Sequence, residues 1–182
     1  MLRVMFLGMA IASSSLAAAS NDNSSSAAST QETSIGDAEI AHIAYTAGQL
    51  DVVAAQQALE RSTNKDVRAF AATMLRDHKA VNDLALALVT KLGVTPQANP
   101  VSQSLTDEAD AVRARIAKLS GKAFDRAYID REVGFHAAVN EALRSTLIPA
   151  AQHPELKDLL EQGLALFSAH QQHAEDLARE LQ

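Results

Sequence analysis

The sequence lacks cysteine and tryptophan, and it contains only seven glycines and four prolines in 182 residues. The absence of cysteine excludes disulfide bonds and lipid attachment through an N-terminal cysteine, so the fold depends on its apolar core. Aromatic residues are also few, whereas Ala, Leu, Glu, Gln and Arg, which favour helices, are abundant. No stretch shows the alternating hydrophobicity that predicts a strand, and the chain is therefore expected to be all-α.

An excess of basic residues is absent too. The 16 Lys and Arg residues against 22 Asp and Glu residues give a formal net charge of -6. Because no basic cluster interrupts this acidic balance, we expect no binding to nucleic acid. The sequence also contains no Gly-rich phosphate loop, no Ser elbow motif and no HExxH pair, so no reaction is indicated and a non-enzyme is favoured.

The N-terminal residues predict export. Arg3 provides a basic start, residues 4–12 form a short apolar run and residues 13–19 are small, which together predict a signal peptide over residues 1–19. The alternative, an uncleaved anchor, is disfavoured because spanning a bilayer requires about 20 apolar residues. Residues 20–35 are polar and predict a disordered tether. Residues 36–182 then form one domain of a periplasmic protein that does not insert into the membrane.

Hydrophobic periodicity divides this domain into four long helices and one short helix. The predicted long helices cover residues 37–61, residues 65–92 with Gly93 at the C-terminal cap, residues 123–151, and a last segment with Pro154 at its first helical position. A short helix over residues 105–119, capped by Ser104 or Thr106, lies in the longest connection. Pro149 should bend or fray the end of the third long helix. The pattern predicts an up-down four-helix bundle with an extra short helix in the crossover.

Three histidines on different long helices face the predicted core. His78, His136 and His170 each occupy the apolar stripe of their helix. A buried imidazole without a partner is costly, so three of them near the middle of a bundle suggest a polar site. A core or half-exposed histidine with ordinary hydrogen bonds remains the alternative explanation for each one taken singly.

Acidic residues and a phenol accompany these histidines at helical spacing. Tyr128, Glu132 and His136 follow one another at steps of four, and Asp51 lies beside the stripe of the first helix. Asp77 precedes His78 and points towards a neighbouring helix. We therefore expect a metal site of His78, His136 and His170, completed by Glu132 or Asp51, with Tyr128 or Asp77 supporting the ligands.

The residue types indicate which ion such a site would hold. None of the three histidines has Glu three residues before it, which argues against the Glu-x-x-His pattern of di-iron carboxylate bundles. A single His-rich site suits zinc, copper or a mononuclear iron ion. The alternatives are a structural or interaction bundle that binds no metal, and an oxidoreductase or catalase-like enzyme that uses the same ligands.

Several of these segments resemble a known protein family. Residues 70–78 (FAATMLRDH), residues 121–129 (GKAFDRAYI), the Glu132/His136 pair and His170 are similar to those of an exported bacterial domain-of-unknown-function family, family 4142. Its members are ferritin-like bundles, often labelled predicted outer membrane proteins. The resemblance implies a ferritin-like fold and a periplasmic or envelope location, but no established reaction. The metal site itself leads us to expect a role in metal handling or envelope stress protection. The family commonly has Glu where Asp51 stands here.

Overall fold

The computed structural model describes residues 35–182, and these form an all-α helical bundle, as predicted. The predicted signal peptide and all of the tether except Ile35 lie outside the described residues. The helices are α1 (Asp37–Arg61), α2 (Lys65–Leu92), α3 (Pro100–Ile116), α4 (Gly121–Ala142) and α5 (Pro154–Glu180). Between α4 and α5 the chain continues as a π-helical turn, Leu143–Leu147, and a final helical turn, Ile148–Ala150.

Capping interactions at both ends of α2 explain why the helix begins and ends at these residues. The Asn64 side chain accepts hydrogen bonds from the backbone N–H groups of Asp66 and Val67, which caps the start of the helix. At the other end Gly93 has a φ of 66°, a left-handed conformation that favours glycine. The N–H of Val94 then donates to the carbonyl of Val89 and closes the last turn.

The predicted start of α3 is wrong by five residues. The helix begins at Pro100 because Asn99, not Ser104 or Thr106, is the capping residue. The Asn99 side chain accepts from the Ser102 N–H at 3.0 Å, and the Ser102 hydroxyl accepts from the Asn99 N–H at 3.1 Å. Pro100 occupies the first helical position, where its missing donor costs nothing. Asn99 and Pro100, which as a pair are also typical of a loop, therefore form the start of a helix.

The irregularity expected near Pro149 takes the form of the π-helical turn. In that turn the N–H of Ile148 donates to the carbonyl of Leu143, five residues earlier, instead of four. Pro149 has no N–H and its ring would collide with the preceding turn of a regular helix, so the wider turn accommodates it. The chain stays helical to Ala150, and α5 begins at Pro154 as predicted.

Contacts at the two ends establish the direction of each helix. At the start of α1, Ala38 accepts a hydrogen bond from Gln97, just before α3, and Asp37 accepts from His153, just before α5. At the end of α1, Arg61 donates to Leu119, just before α4. The long helices α1, α2, α4 and α5 therefore run up, down, down and up. The crossover helix α3 carries the chain back along the bundle.

The apolar core is divided into two clusters. The upper cluster lies at the end of α1 and the lower cluster at its start. The upper cluster contains Ala54, Ala55, Ala58, Val67, Phe70, Ala71, Met74, Ile116, Phe124, Tyr128, Ile129, Ala174 and Leu177. The lower cluster contains Ile40, Ile43, Leu143, Leu147, Leu156 and Leu160. Between them, at mid-height, the four long helices turn polar side chains inward.

Candidate metal centre

The three predicted histidines meet at the middle of the bundle. The residues His78, His136 and His170 are only 3%, 1% and 4% exposed. Their ring centroids lie 5.4 to 5.5 Å apart in every pairing. Each ring offers one nitrogen, and these three nitrogens lie within 4.8 Å of one another. The structure thus brings together side chains from α2, α4 and α5, which we call the histidine triad.

Hydrogen bonds fix the tautomers of two rings in the triad. Nδ1 of His136 lies 3.1 Å from the backbone carbonyl of Glu132, and because a carbonyl can only accept, this nitrogen carries the proton. Nε2 of His170 lies 3.0 Å from the Asp77 carboxylate and donates to it. Nε2 of His136 and Nδ1 of His170 therefore keep free lone pairs, and both are buried without a hydrogen-bond partner among residues 35–182.

His78 completes the triad with a different environment. Its Nε2 lies 3.3 Å from Oδ2 of Asp51, although without the alignment of a hydrogen bond, and neither ring nitrogen has a partner in the described part of the chain. The Phe167 ring stacks on His78 with centroids 4.8 Å apart and an interplanar angle of 12°. Phe167 also contacts the other two rings, so an apolar wall covers one side of the triad and excludes water there.

A group of buried charges adjoins the triad. The guanidinium of Arg131 donates to Oδ1 of Asp51 and, at 2.7 Å, to Oε1 of Glu132. It also lies over the Phe135 ring, 4.2 Å from the centroid. Asp51 Oδ2, the oxygen that Arg131 leaves free, faces His78 at 3.3 Å and His136 at 3.9 Å. Asp51 therefore links the triad to the arginine.

Burial and these neighbours set the protonation states. Burial raises the pKa of Glu132 to about 8, against the opposing effect of Arg131. Burial also disfavours the charged form of Asp51. The nearby positive charge of Arg131, followed by the effects of His136 and His78, outweighs burial and lowers the pKa of this carboxyl. At neutral pH these shifts favour the anionic form of Asp51 and the protonated form of Glu132.

The same effects keep the triad neutral. Burial lowers the pKa of His136 to about 4 and lowers the pKa of His78 and His170 in the same direction. A neutral imidazole with a free lone pair is the form that binds a transition metal. The carboxylate behind His170 and the carbonyl behind His136 are the partners that orient such ligands in metal sites.

Sequence reasoning placed the inward residues but missed Arg131 and a layer of amides. Asn82 and Asn140 lie one turn after His78 and His136 and are fully buried. Asn140 donates to the Gln171 side chain at 2.9 Å. Their spacing of four residues from the histidines is a signal that could have revealed them. Arg131 gives no such signal, because an arginine beside an apolar stripe usually extends into solvent.

Tyr128 and Asp77, the two predicted supporting residues, have different places. Asp77 contacts His170 directly, and the Arg76 side chain in turn donates to Asp77 at 2.7 Å. Tyr128 packs in the upper cluster, where its ring lies 6.2 Å from Phe70. The Tyr128 hydroxyl has no hydrogen-bond partner within the described residues, and burial raises its pKa. The structure therefore brings Asp77 to the triad but leaves Tyr128 outside it.

Comparisons with known proteins identify the sequence family. The family described as "Domain of unknown function (DUF4142)" matches residues 22–177, which is most of the chain. The match begins inside the polar segment that precedes α1. No curated protein matches the sequence. Among the residues that the structure covers, no helix combines the length and the hydropathy needed to cross a bilayer.

A solved structure shares the fold. It is the crystal structure of a DUF305 protein from Streptomyces coelicolor, described as secreted, with a TM-score of 0.67 and 13% sequence identity. The similarity covers 79% of this chain and 91% of the other. At this low identity the likeness supports the helical architecture and carries no information about ligands.

Proposed function

The chain belongs to the DUF4142 family, and from that premise we propose that it is an exported helical bundle that binds one transition-metal ion at the histidine triad. Two observations carry the proposal: His78, His136 and His170 each offer a ring nitrogen within 4.8 Å of the other two, and each ring has a buried nitrogen without a hydrogen-bond partner among the described residues. A buried polar atom without a partner costs about 1–3 kcal/mol. A bound ion would give the three unpartnered ring nitrogens a ligand bond each and so remove this cost.

The donor set fits zinc, copper or iron. Neutral imidazoles are ligands for all three ions, and three histidines with one further position are typical of zinc sites. Tetrahedral ligands about 2.05 Å from zinc lie roughly 3.3 Å from one another, so the triad would contract around the ion.

Asp51 is the better candidate for the fourth ligand. Its Oδ2 faces both His78 and His136, and its negative charge would offset part of the charge of the ion. Glu132 is the weaker candidate because it is protonated at neutral pH and Oε1 is bound to Arg131. Asp77 would orient His170 from behind. No residue of this set is assigned a catalytic step.

The cellular role follows from export and from the ion. The predicted signal peptide supports export, and we propose that the exported protein resides in the periplasm. In that compartment a buried single-ion site suits metal handling or protection of the envelope under stress. Mass spectrometry of periplasmic protein checks the export step: the mature chain should begin at or near Ser20, and an intact Met1 in membranes would contradict it.

Metal analysis of untagged protein tests the site. We expect one equivalent of Zn²⁺ per chain after reconstitution and dialysis, and His136→Ala should abolish it. His42→Ala is the matched control, because this α1 histidine forms a hydrogen bond with Thr46 at 3.4 Å and belongs to neither group of ligand atoms found in residues 35–182. If the wild-type protein retains no ion, native or reconstituted, the proposal is wrong. The protein would then be a structural or interaction bundle without metal.

A further inference from the structure

A second group of ligand atoms overlaps the histidine triad. Asp51, Glu132 and His136 each offer one donor atom, and these atoms also lie within 4.8 Å of one another. His136 belongs to both groups. The Asp51 carboxylate faces both as well, with Oδ2 towards the triad and Oδ1 towards Arg131. The free Nε2 of His136 belongs to the triad, so the carboxyl groups of Asp51 and Glu132 are the donors of this second group that remain for another ion.

Arg131 already supplies a positive charge to this second group. Its guanidinium contacts one oxygen of Asp51 and one oxygen of Glu132, and the Phe135 ring holds it from a third side. An arginine in a protein does not lose its proton, so this charge is permanent. Glu132 Oε2 stays buried without a hydrogen-bond partner in residues 35–182 and lies 3.5 Å from His136 Nδ1.

We propose that Arg131 determines the number of ions: its guanidinium occupies the position that a second divalent cation would take between the carboxyl groups of Asp51 and Glu132. The inference rests on the proposed metal site and adds the residue that restricts it to one ion. A second cation would have to displace the guanidinium from both carboxylates. It would also be repelled by the arginine charge and by the ion in the triad.

A cleft gives the second position a route to solvent. It lies between α1, α3 and α4, with Gln57, Asp110 and Arg113 among its lining residues, and it reaches Tyr128 and Arg131. A shorter neutral side chain at position 131 would therefore open the two carboxylates towards the cleft. An entry path is one requirement of a usable metal site, and here the wild-type arginine closes it.

The test counts bound Zn²⁺ ions by elemental analysis and by calorimetric titration. We expect one ion per chain in the wild-type protein and two in Arg131→Gln. The double variant Arg131→Gln/Glu132→Gln should return to one ion, because it lacks the second carboxylate. Arg131→Lys restores a cation at the same place and should also bind one ion.

A matched control uses the same substitution on the same helix. Arg126→Gln removes an exposed arginine that pairs with Asp130 at 3.1 Å, and it should bind one ion. If Arg131→Gln does not fold, Arg131→Met, which keeps apolar packing on Phe135, replaces it. Either variant can be refolded in excess Zn²⁺ before the count.

The outcomes separate this inference from the proposed function. One ion in both the wild type and Arg131→Gln would overturn the role of Arg131 and leave the triad site standing. No ion in the wild type but one in Arg131→Gln, lost again with Glu132→Gln, would overturn the triad site and support exclusion by Arg131. No ion in any variant would overturn both.

Discussion

Because His136 is buried, we predict that its contribution to the free energy of unfolding of the metal-free protein decreases as the pH falls from 7.5 to 5. Burial, followed by repulsion from His78 and His170, outweighs the attraction of Asp51 and lowers the pKa of His136 to about 4. The usual value in an unfolded chain is about 6.5. The unfolded protein therefore binds the proton first. The stabilising contribution is fully present above pH 6.5 and is lost as the pH falls towards 4.

The size of this effect follows from the two pKa values. One unit of pKa difference corresponds to about 1.36 kcal/mol. A pH of 5 lies about 1.5 units below the unfolded value and still above the folded value, so His136 accounts for a loss of about 2 kcal/mol. Glu132 acts in the opposite direction: its pKa is raised to about 8, so the folded state loses stability as the pH rises through this range.

Glu132→Gln removes that opposing effect and provides the background for the measurement. Urea unfolding followed by circular dichroism, with chelator present, gives the free energy of unfolding at pH 7.5 and pH 5. The loss between the two pH values should be about 2 kcal/mol smaller in His136→Asn/Glu132→Gln than in Glu132→Gln. His42→Asn in the same background is the control and should not change the loss. Equal losses with and without His136 would refute the reasoning.

Three further predictions concern the whole bundle. Zn²⁺ should raise the melting temperature at pH 7.5 but not near pH 5, because protons compete for the imidazole nitrogens; equal shifts at both pH values would contradict histidine ligation. Asp37→Asn should cost about 1–3 kcal/mol in urea unfolding at pH 7, because Asp37 accepts the backbone N–H groups of Gln152 and His153. Those hydrogen bonds outweigh burial and lower the pKa of Asp37, so the difference should vanish as the pH falls through this lowered value. Gly48→Ala should lower the melting temperature, because the added Cβ would collide with the side-chain amide of Asn82. Overpacking of this kind costs about 1–3 kcal/mol, whereas the better helix propensity of alanine contributes about 1 kcal/mol. An unchanged melting temperature would show that the Asn82 side chain moves away freely.

The helices were predictable wherever the signal was local. The bounds of α1 and the Gly93 cap of α2 depend on periodicity and on single capping residues, which the sequence displays directly. The start of α3 was missed because Asn99-Pro100 is equally typical of a loop. The choice between the two depends on whether Ser102 closes the cap.

The sequence allowed the histidines of the candidate site to be predicted, but not the contacts that connect them to Arg131. Helical spacing places His78, His136 and His170 inward, and the structure does bring them together. The helical spacing does not predict that the Arg131 side chain is buried, because its burial depends on two carboxyl groups, one from α1 and one from α4, meeting at the same height in the bundle. Such a meeting depends on the direction and relative height of the two helices in the bundle.

The polar layer between the two apolar clusters has a consequence for cooperativity. Helix ends packed in the upper or lower cluster are held by apolar burial, whereas the middle turns are held by charges and by imidazoles with free lone pairs. Without an ion, the two ends can therefore open as separate units, and amide hydrogen exchange would report two different free energies of opening. An ion bound at the middle would join the ends, so that all four long helices unfold together.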